Sequence, residues 1–462
     1  MKRLISWLVV AVVGLALMAF PYYRYEYEPG ESPWDNVFMY LGAADPNCEV
    51  EGLEYVRRPV RLLPLAGRAQ NFTRMAKSFG SKVESSYRIT FQEKVIFYSD
   101  MEDDFTPEML EWGRLPAGGK AEVLAGFATS SRDEINVDGR PFKIVGLLKK
   151  GISVFANSYL VGEGAAAEEL FVPDEEAIQN AYILRLPKEQ QGDLETRKQL
   201  KGAFPRSQFT GYAPLIRTQP AAFFIYVGGL ALLCSGGCLA LFTLYCILAD
   251  RIRNKWLRLP LAEIRRYKHL FITMNLIYFG AVVVFMLVSY AVPELQSCFL
   301  VGVSSQITEG SGILGIAGEA YASKNILRAA VTTFAINFPL GSLACITFPS
   351  VIVPGAGSLI AGLRASLWGL LLAPTFDALS GMMVPHSVTL LLEGHGYVIA
   401  AFFGVLVLVY LFRKAEGPSA GTRYGRALLM NIRGNLLVII VLAVAAVYEA
   451  IEVILVMLWA GR

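Results

Sequence analysis

The segment Met382–Phe412, MMVPHSVTLLLEGHGYVIAAFFGVLVLVYLF, is apolar enough to cross a lipid bilayer, and no other stretch constrains the fold as tightly. As a helix rising about 1.5 Å per residue it exceeds the roughly 30 Å of hydrocarbon, so it must tilt or protrude. It also carries Pro385, His386, Glu393 and His395. With Phe412 and the basic residues after it at the inner face, Glu393 falls near the middle of the bilayer. A carboxylate there costs on the order of 2.5–3.5 kcal/mol on insertion scales. Two readings stand. Glu393 is either a protonated or hydrogen-bonded group that helps the helices associate, or part of a working site.

The whole chain has the same character. Of its 462 residues 54% are hydrophobic and only 18% charged, an apolar excess over soluble globular proteins. The excess sits in one N-terminal run and in the second half, while residues 21–220 have ordinary soluble composition. The expected fold is a polytopic α-helical membrane protein of seven spans, with an α+β extracytoplasmic domain inserted between spans 1 and 2. The net charge of +3 comes without basic clusters interleaved with aromatics, which gives no support to nucleic-acid binding. Cys234, Cys238, Cys246 and Cys345 lie in apolar spans and read as packing residues. Cys48 and Cys298 both fall outside in this topology, and whether they pair is not deducible from sequence. No Cys-x-x-Cys pair exists, so neither a zinc ribbon nor a thioredoxin-type site is supported.

Leu4–Phe20 follows Lys2 and Arg3 and lacks a good cleavage pattern, so residues 1–20 read as an uncleaved anchor with a cytoplasmic N-terminus. Residues 21–220 then lie outside. Ala221–Leu248 returns, with Gly228, Gly229, Gly236 and Gly237 offering a small-residue face. The segment 221–269 ends in RIRNKWLRLPLAEIRRYKH, whose Arg251, Arg253, Lys255, Arg258, Arg265, Arg266 and Lys268 place it in the cytoplasm at the lipid surface. Residues 270–462 supply five further spans. Leu270–Val292 runs out, and a Gly- and Ser-rich loop 293–325 follows. Ile326–Val353 runs in, Gly357–Phe376 out with Arg364 inside it, Met382–Phe412 in, and Leu436–Trp459 out. Arg413, Lys414, Arg423, Arg426 and Arg433 keep the last basic loop inside.

Within 21–220, SYRITF, VIFYSD and NAYILRL read as strands, and PEMLEWGR as a short helical or turn piece. AEVLAGFA reads as a strand-to-helix passage, and EINVDGRPFKIVGLL as a hairpin turning at Asp138-Gly139. The strands are expected to be largely antiparallel. The series DFTPEMLEWGRLP (Asp104 to Pro116), AEVLAGFATS and INVDGRPFKIVGLLKKG resembles the periplasmic domain of macrolide-exporter-type ABC permeases. Gly139, Phe142, Val145 and Gly146 stand where that family's hairpin has them, while Asp133-Glu134 replaces its Gly-Asp. The resemblance covers about residues 100–170. In the same permeases a cytoplasmic helix after the second span rests on the ATPase. LAEIRRYKHL resembles it in position and in Glu263-Ile264 followed by basic residues, which implies a partner contact through Arg258, Glu263, Arg265 and Arg266. A loop that only sets topology is the plainer reading.

Roughly residues 265–462 resemble the stage II sporulation protein M family, a five-helix integral membrane family. The carrying residues are Asn337 in AINFPLGS, GLRASLWG around Arg364, the Pro385-His386 pair, and Glu449 in AAVYEAIE. The family's L-P-H-G-x-x-E signature has Gly where Ser387 stands, and its acid is absent here. Glu393 follows His386 by two helical turns instead and so shares its face.

Counted from the membrane edges, Arg364, Glu393 and Glu449 fall near the midplane, with Glu452 one turn beyond Glu449. Charges at that depth pair with each other or line an aqueous pocket. The expectation is that Arg364 neutralises Glu393 or Glu449, with Asn337 and His386 as hydrogen-bonding partners. The alternative is interhelical glue worth about 0.6 kcal/mol per contact. No P-loop, His-Glu-x-x-His or Gly-x-Ser-x-Gly motif is present, and the Asn71-Phe72-Thr73 sequon reads as chance. The chain is therefore expected to be no enzyme and to need no cofactor or metal. Three functions remain. One is a permease-like subunit of an ABC-type export or envelope complex in the bacterial cytoplasmic membrane, with a separate ATPase and a periplasmic protein as partners. Another is the envelope-remodelling scaffold that the second resemblance implies. The last is an ion- or proton-coupled transporter. A homodimer is compatible with each.

Overall fold

The computed structural model describes residues 2–24, 37–41, 56–65, 92–98, 101–127, 129–137, 139–149, 155, 157–162, 179–185, 207–209, 218–292, 295–296, 299–300, 303, 312–375, 377–412 and 419–460. Cys48, Cys298, Asp138, the SYRITF strand and the Asn71 sequon lie outside them.

The apolar runs fold as helices: α1 (Lys2–Arg24), α2 (Pro220–Arg251), α3 (Lys255–Arg266), α4 (Lys268–Ala291), α5 (Gly312–Ala322), α6 (Ile326–Ile352), α7 (Ala356–Leu371), α8 (Asp377–Phe412) and α9 (Ala420–Ala460). Among the described residues, six of these contain segments long and apolar enough to cross a membrane: Lys2–Pro21, Pro220–Arg251, Lys268–Ala291, Ile326–Ile352, Met382–Phe412 and Ala420–Leu455. The chain is thus a multi-pass membrane protein with a sheet region. The segment expected to supply a further span, 357–376, forms the 16-residue α7, shorter than the hydrocarbon is thick. The expected loop 293–325 contains α5.

Glycines let α1 lie on α2. A Cβ on Gly14 would sit 2.5 Å from the Leu233 nitrogen, and one on Gly236 2.6 Å from the Ala11 nitrogen, so the two backbones touch. α8 is the central helix, with a run of buried residues from Tyr397 to Phe403. α6 is not a plain α-helix. Its stretch Ile336–Thr347 is π-helical and contains Pro339, which has no N–H to give the ladder. The widened turns bury Asn337, Gly341 and Ser342.

Among the described residues ten strands form one sheet: β1 (Val37–Leu41), β2 (Val56–Pro64), β3 (Lys94–Phe97), β4 (Leu110–Gly113), β5 (Glu122–Ala125), β6 (Glu134–Val137), β7 (Arg140–Leu148), β8 (Ser158–Val161), β9 (Gln179–Arg185) and β10 (Ser207–Phe209). Their order is β10-β1-β9-β2-β3-β8-β5-β7-β4, with β6 beside β7. Most pairings are antiparallel, as expected, while β3–β8 and β5–β7 run parallel. Successive residues point to opposite faces, and both faces are covered. Ile96, Leu124 and Leu160 join Tyr98, Phe105 and Phe155 in one core. Val95, Val123 and Tyr159 join Phe142 and Ile144 in the other.

The expected hairpin is present, with Val137 opposite Arg140 and Gly139 at φ 83° donating its N–H to Asn136 Oδ1 at 2.8 Å. The PEMLEWGR piece becomes a single 3-10 turn, Pro107–Met109, and then strand β4. β5 is a strand as read, but no helix follows it among the described residues up to β6. Among the described residues, ion pairs at Asp104 and at Glu122 brace the sheet. Asp104 takes Arg58 Nε at 2.8 Å, Arg58 Nη2 at 3.0 Å and the Tyr98 hydroxyl at 2.5 Å. Arg114 grips Glu122 through both oxygens at 2.8 and 2.7 Å. That guanidinium, with the Ala117 N–H, holds the Glu122 carboxyl down to about 2.

Lys94 on β3 is buried at 2% exposure, and its Nζ donates to the Gln92 carbonyl at 3.2 Å. Burial pulls its pKa down from 10.5 to about 7. Between the two values the unfolded chain binds the proton that the folded one rejects, so stability rises with pH across that window and is level below it. The slope is roughly 1.4 kcal/mol per pH unit. Urea unfolding of the sheet region, followed by tryptophan fluorescence, should show a midpoint that climbs from pH 7 to pH 10, and Lys94→Met should flatten the climb.

Candidate functional site

Four helices and one short helix bring polar side chains to a single place inside the apolar bundle. A half-open cavity of about 270 Å³ is lined by Asn337 of α6, Arg364 of α7, His386 and Glu393 of α8, and Glu449 of α9. Tyr321 of α5 and Thr333, Trp368 and Thr389 share the lining. Five of the six intramembrane residues expected from sequence thus face one cavity. The sixth, Glu452, is buried directly behind it and takes His386 Nδ1 at 3.3 Å and the Thr389 hydroxyl at 3.0 Å.

Local geometry explains the convergence. Arg364 and Trp368 are one turn apart on α7, Thr333 and Asn337 one turn apart on α6, and His386, Thr389 and Glu393 at i, i+3 and i+7 on α8. The guanidinium of Arg364 is seated rather than free. Its Cζ lies 4.2 Å from the Tyr397 ring centroid and 5.3 Å from that of Trp368. It is packed against Gly341, where a Cβ would come within 2.9 Å of Nη1. Nη2 donates to Asn337 Oδ1 at 3.4 Å, and Asn337 Nδ2 donates in turn to Glu393 Oε1. The Glu449 carboxyl stands beside that of Glu393 and near the Tyr321 hydroxyl, which pairs with Thr333 Oγ1 at 2.8 Å.

The expected pairing is corrected in one respect. Arg364 makes no ion pair with Glu393 or Glu449 among the described residues, because the guanidinium lies on the Tyr397 ring and the Asn337 amide bridges the gap. His386 belongs to Glu452 instead of to the arginine. The residues that sequence reading missed are Gly341, Tyr321, Thr333, Thr389, Trp368 and Tyr397. Helical spacing from the recognised members points to Thr333, Thr389 and Trp368; nothing local points to Tyr321 or Gly341.

His395 is elsewhere. Its Nδ1 pairs with Asn275 Oδ1 at 2.9 Å, and its ring packs 5.6 Å from those of Tyr245 and Phe271. It is a buried interhelical contact on the side of α8 turned away from the cavity. No group of three His, Cys, Asp or Glu among the described residues is placed to hold a metal.

On α3, Pro260, Leu261 and Ile264 are buried, and the opposite face carries exposed Arg258, Arg265 and Arg266. Arg265 reaches Asp250 at 2.8 Å, and Arg266 reaches Glu263 at 3.5 Å. Comparison of the chain with protein-family models, curated proteins and solved structures gives no match.

Proposed function

We propose that this chain is a non-catalytic, permease-like membrane subunit whose cavity at Arg364, Asn337, Glu393 and Glu449 handles a charged or protonatable solute. One observation carries the reading: carboxyl, guanidinium, imidazole and carboxamide groups from four helices converge on one opening inside an apolar bundle. Groups at that depth are expensive and typically mark pathways or binding sites. The long cavity-lining α8 and the π-helical turns of α6 are consistent with this, since π-helical distortions are frequent at functional sites.

In this reading α7 crosses as a seventh span. Its start lies by Leu408 near the end of α8, where a Cβ on Gly355 would be 2.9 Å from Leu408 Cδ1. Its end meets the end of α4, where the Leu370 carbonyl accepts from Ser289 Oγ at 2.9 Å. Both features support a short helix that reaches from one side to the other. The basic α3 and the arginines at the start of α9 favour a cytoplasmic N-terminus, with the sheet domain on the far side of a bacterial cytoplasmic membrane. A separate ATPase docking on the exposed Arg258 and Arg265 face is a second reading, favoured by that face alone. Co-purification of an ATPase subunit tests it.

The direct test is Glu393→Gln, which keeps shape and hydrogen bonding but removes the charge. Expressed in place of the native protein, it should accumulate to normal levels and yet reproduce the deletion phenotype. Lost abundance with full activity per molecule would instead mark Glu393 as interhelical glue.

A further inference from the structure

Helices α2 and α4 touch at both ends and part between them. Phe223 stacks on Tyr290 with ring centroids 4.1 Å apart, and Phe242 meets Phe271 at 6.3 Å. Between those aromatic pairs the facing residues include small ones, Ala231, Cys234, Ser235 and Cys238 on α2 and Gly280 on α4. The result is a half-open groove of about 350 Å³, which shares no lining residue with the cavity at Glu393. A Cβ on Gly280 would meet nothing within 4 Å, so the groove is open at that point.

The groove faces the outside of the bundle, where Leu276 on its wall is 70% exposed. Its lining holds no charged side chain among the described residues. Asn275 is engaged within the bundle: it donates to the Phe271 carbonyl at 2.9 Å and pairs with His395 Nδ1 at 2.9 Å. Ser235 adds a single hydroxyl. A polar solute would forfeit its hydrogen bonds to water here, whereas a hydrocarbon chain would not. At about 1.5 Å per residue the stretch from Ala231 to Phe242 is roughly 16 Å long, which is the depth of one leaflet in a hydrocarbon core of about 30 Å.

The Phe242–Phe271 end of the groove is also its basic end. Lys268 shares a face of α4 with Ile272 and Asn275, at i, i+4 and i+7. Lys268 and Arg265 of α3 both stand near the Cys246 thiol, which lies one turn past Phe242 on α2. Arg265 is held by Asp250 at 2.8 Å, while Lys268 has no carboxylate partner among the described residues. We propose that the groove holds one acyl chain of an anionic phospholipid whose phosphate is received by Lys268. Lysine suits the role, because its stem lies along apolar surface while its ammonium reaches the headgroup. Arg251, Arg253, Lys255 and Arg258, close by in sequence, add to a positive field that favours an anionic headgroup over a zwitterionic one.

The test follows thermal unfolding of the full chain in a neutral detergent against phosphatidylglycerol, phosphatidylcholine with the same chains, and inorganic phosphate. Phosphatidylglycerol should raise the midpoint saturably by about 2–4 °C, phosphatidylcholine by less, and phosphate not at all. Gly280→Trp, which puts a ring into the open space, should abolish the response to both lipids. If that variant does not fold, Gly280→Leu takes its place. Lys268→Gln should lower the phosphatidylglycerol response to the phosphatidylcholine level, and Lys143→Gln, on the sheet, should change neither. An equal rise with the two lipids that Gly280→Trp removes overturns the anionic assignment. A rise that survives filling of the groove, a rise with phosphate alone, or no rise with either lipid overturns the site. A native protein of dimer mass in detergent that becomes a monomer in Gly280→Trp overturns it in favour of a second copy seated in the groove.

Discussion

Gly341→Leu is expected to leave the protein folded and inactive. Position 341 lies on the π-helical turns of α6, and a Cβ there would come within 2.9 Å of Arg364 Nη1 and 3.2 Å of the Tyr397 hydroxyl. The backbone is not in the way; the far end of a flexible side chain is. A leucine is accommodated by pushing the guanidinium off the Tyr397 ring, forfeiting a desolvated cation–π contact worth about 2 kcal/mol. Overpacking adds roughly 1–3 kcal/mol. A displaced guanidinium can swing toward Glu393 and Glu449, closing on them the ion pair that Asn337 now prevents. The expected readout is a modestly lowered unfolding midpoint in detergent, normal abundance, and the deletion phenotype. Gly341→Ala should be intermediate. Full activity in Gly341→Leu would mean that the seat of Arg364 does not matter.

Phe155→Ala should give the largest loss of stability in the sheet domain, about 3–5 kcal/mol. Phe155 is fully buried, with its ring edge-on to Tyr98 at 5.8 Å and 5.4 Å from Phe105. The residues around it are fixed at the other end by Asp104, which binds the Tyr98 hydroxyl and Arg58 together. Collapse into the space is therefore restricted, and the cavity stays open. A fall in the urea midpoint and early proteolysis within residues 92–162, with the helical bundle still protected, is the expected pattern. An unchanged midpoint would contradict the assignment of Tyr98, Phe105 and Phe155 to one core.

Much of the bundle could be read from residues alone because its signals are long and local. Met382–Phe412 and the end of α9 are apolar runs, and counting along them placed Glu393 and Glu449 at one depth. Depth is not rotation, however. Whether Arg364 meets a carboxyl or an amide depends on how α6, α7 and α8 turn about their axes, and no single sequence carries that. His386 finding Glu452 is the same kind of fact. α5 was hidden because GILGIAGEAYA has the glycine content of a loop, and Tyr321 was hidden with it. The π-helical register of α6 had one visible sign, Pro339, which is equally compatible with a kink. In the sheet, the β6–β7 hairpin was legible from its Asp-Gly turn. The parallel pairings β3–β8 and β5–β7 join distant strands and left no local trace.

A working cavity requires that these groups share an opening reachable from water. Glu449→Cys, in a chain whose six native cysteines are replaced by serine or alanine, puts a thiol on its wall. Intact cells are then treated with a membrane-impermeant, positively charged methanethiosulfonate. A cysteine at 449 should be modified from the outer side, and a cysteine in place of Val444, exposed on the apolar outside of the bundle, should not. If position 449 resists the water-borne reagent from both sides while a lipid-soluble maleimide labels it, the cavity is a lipid crevice and not a solute site.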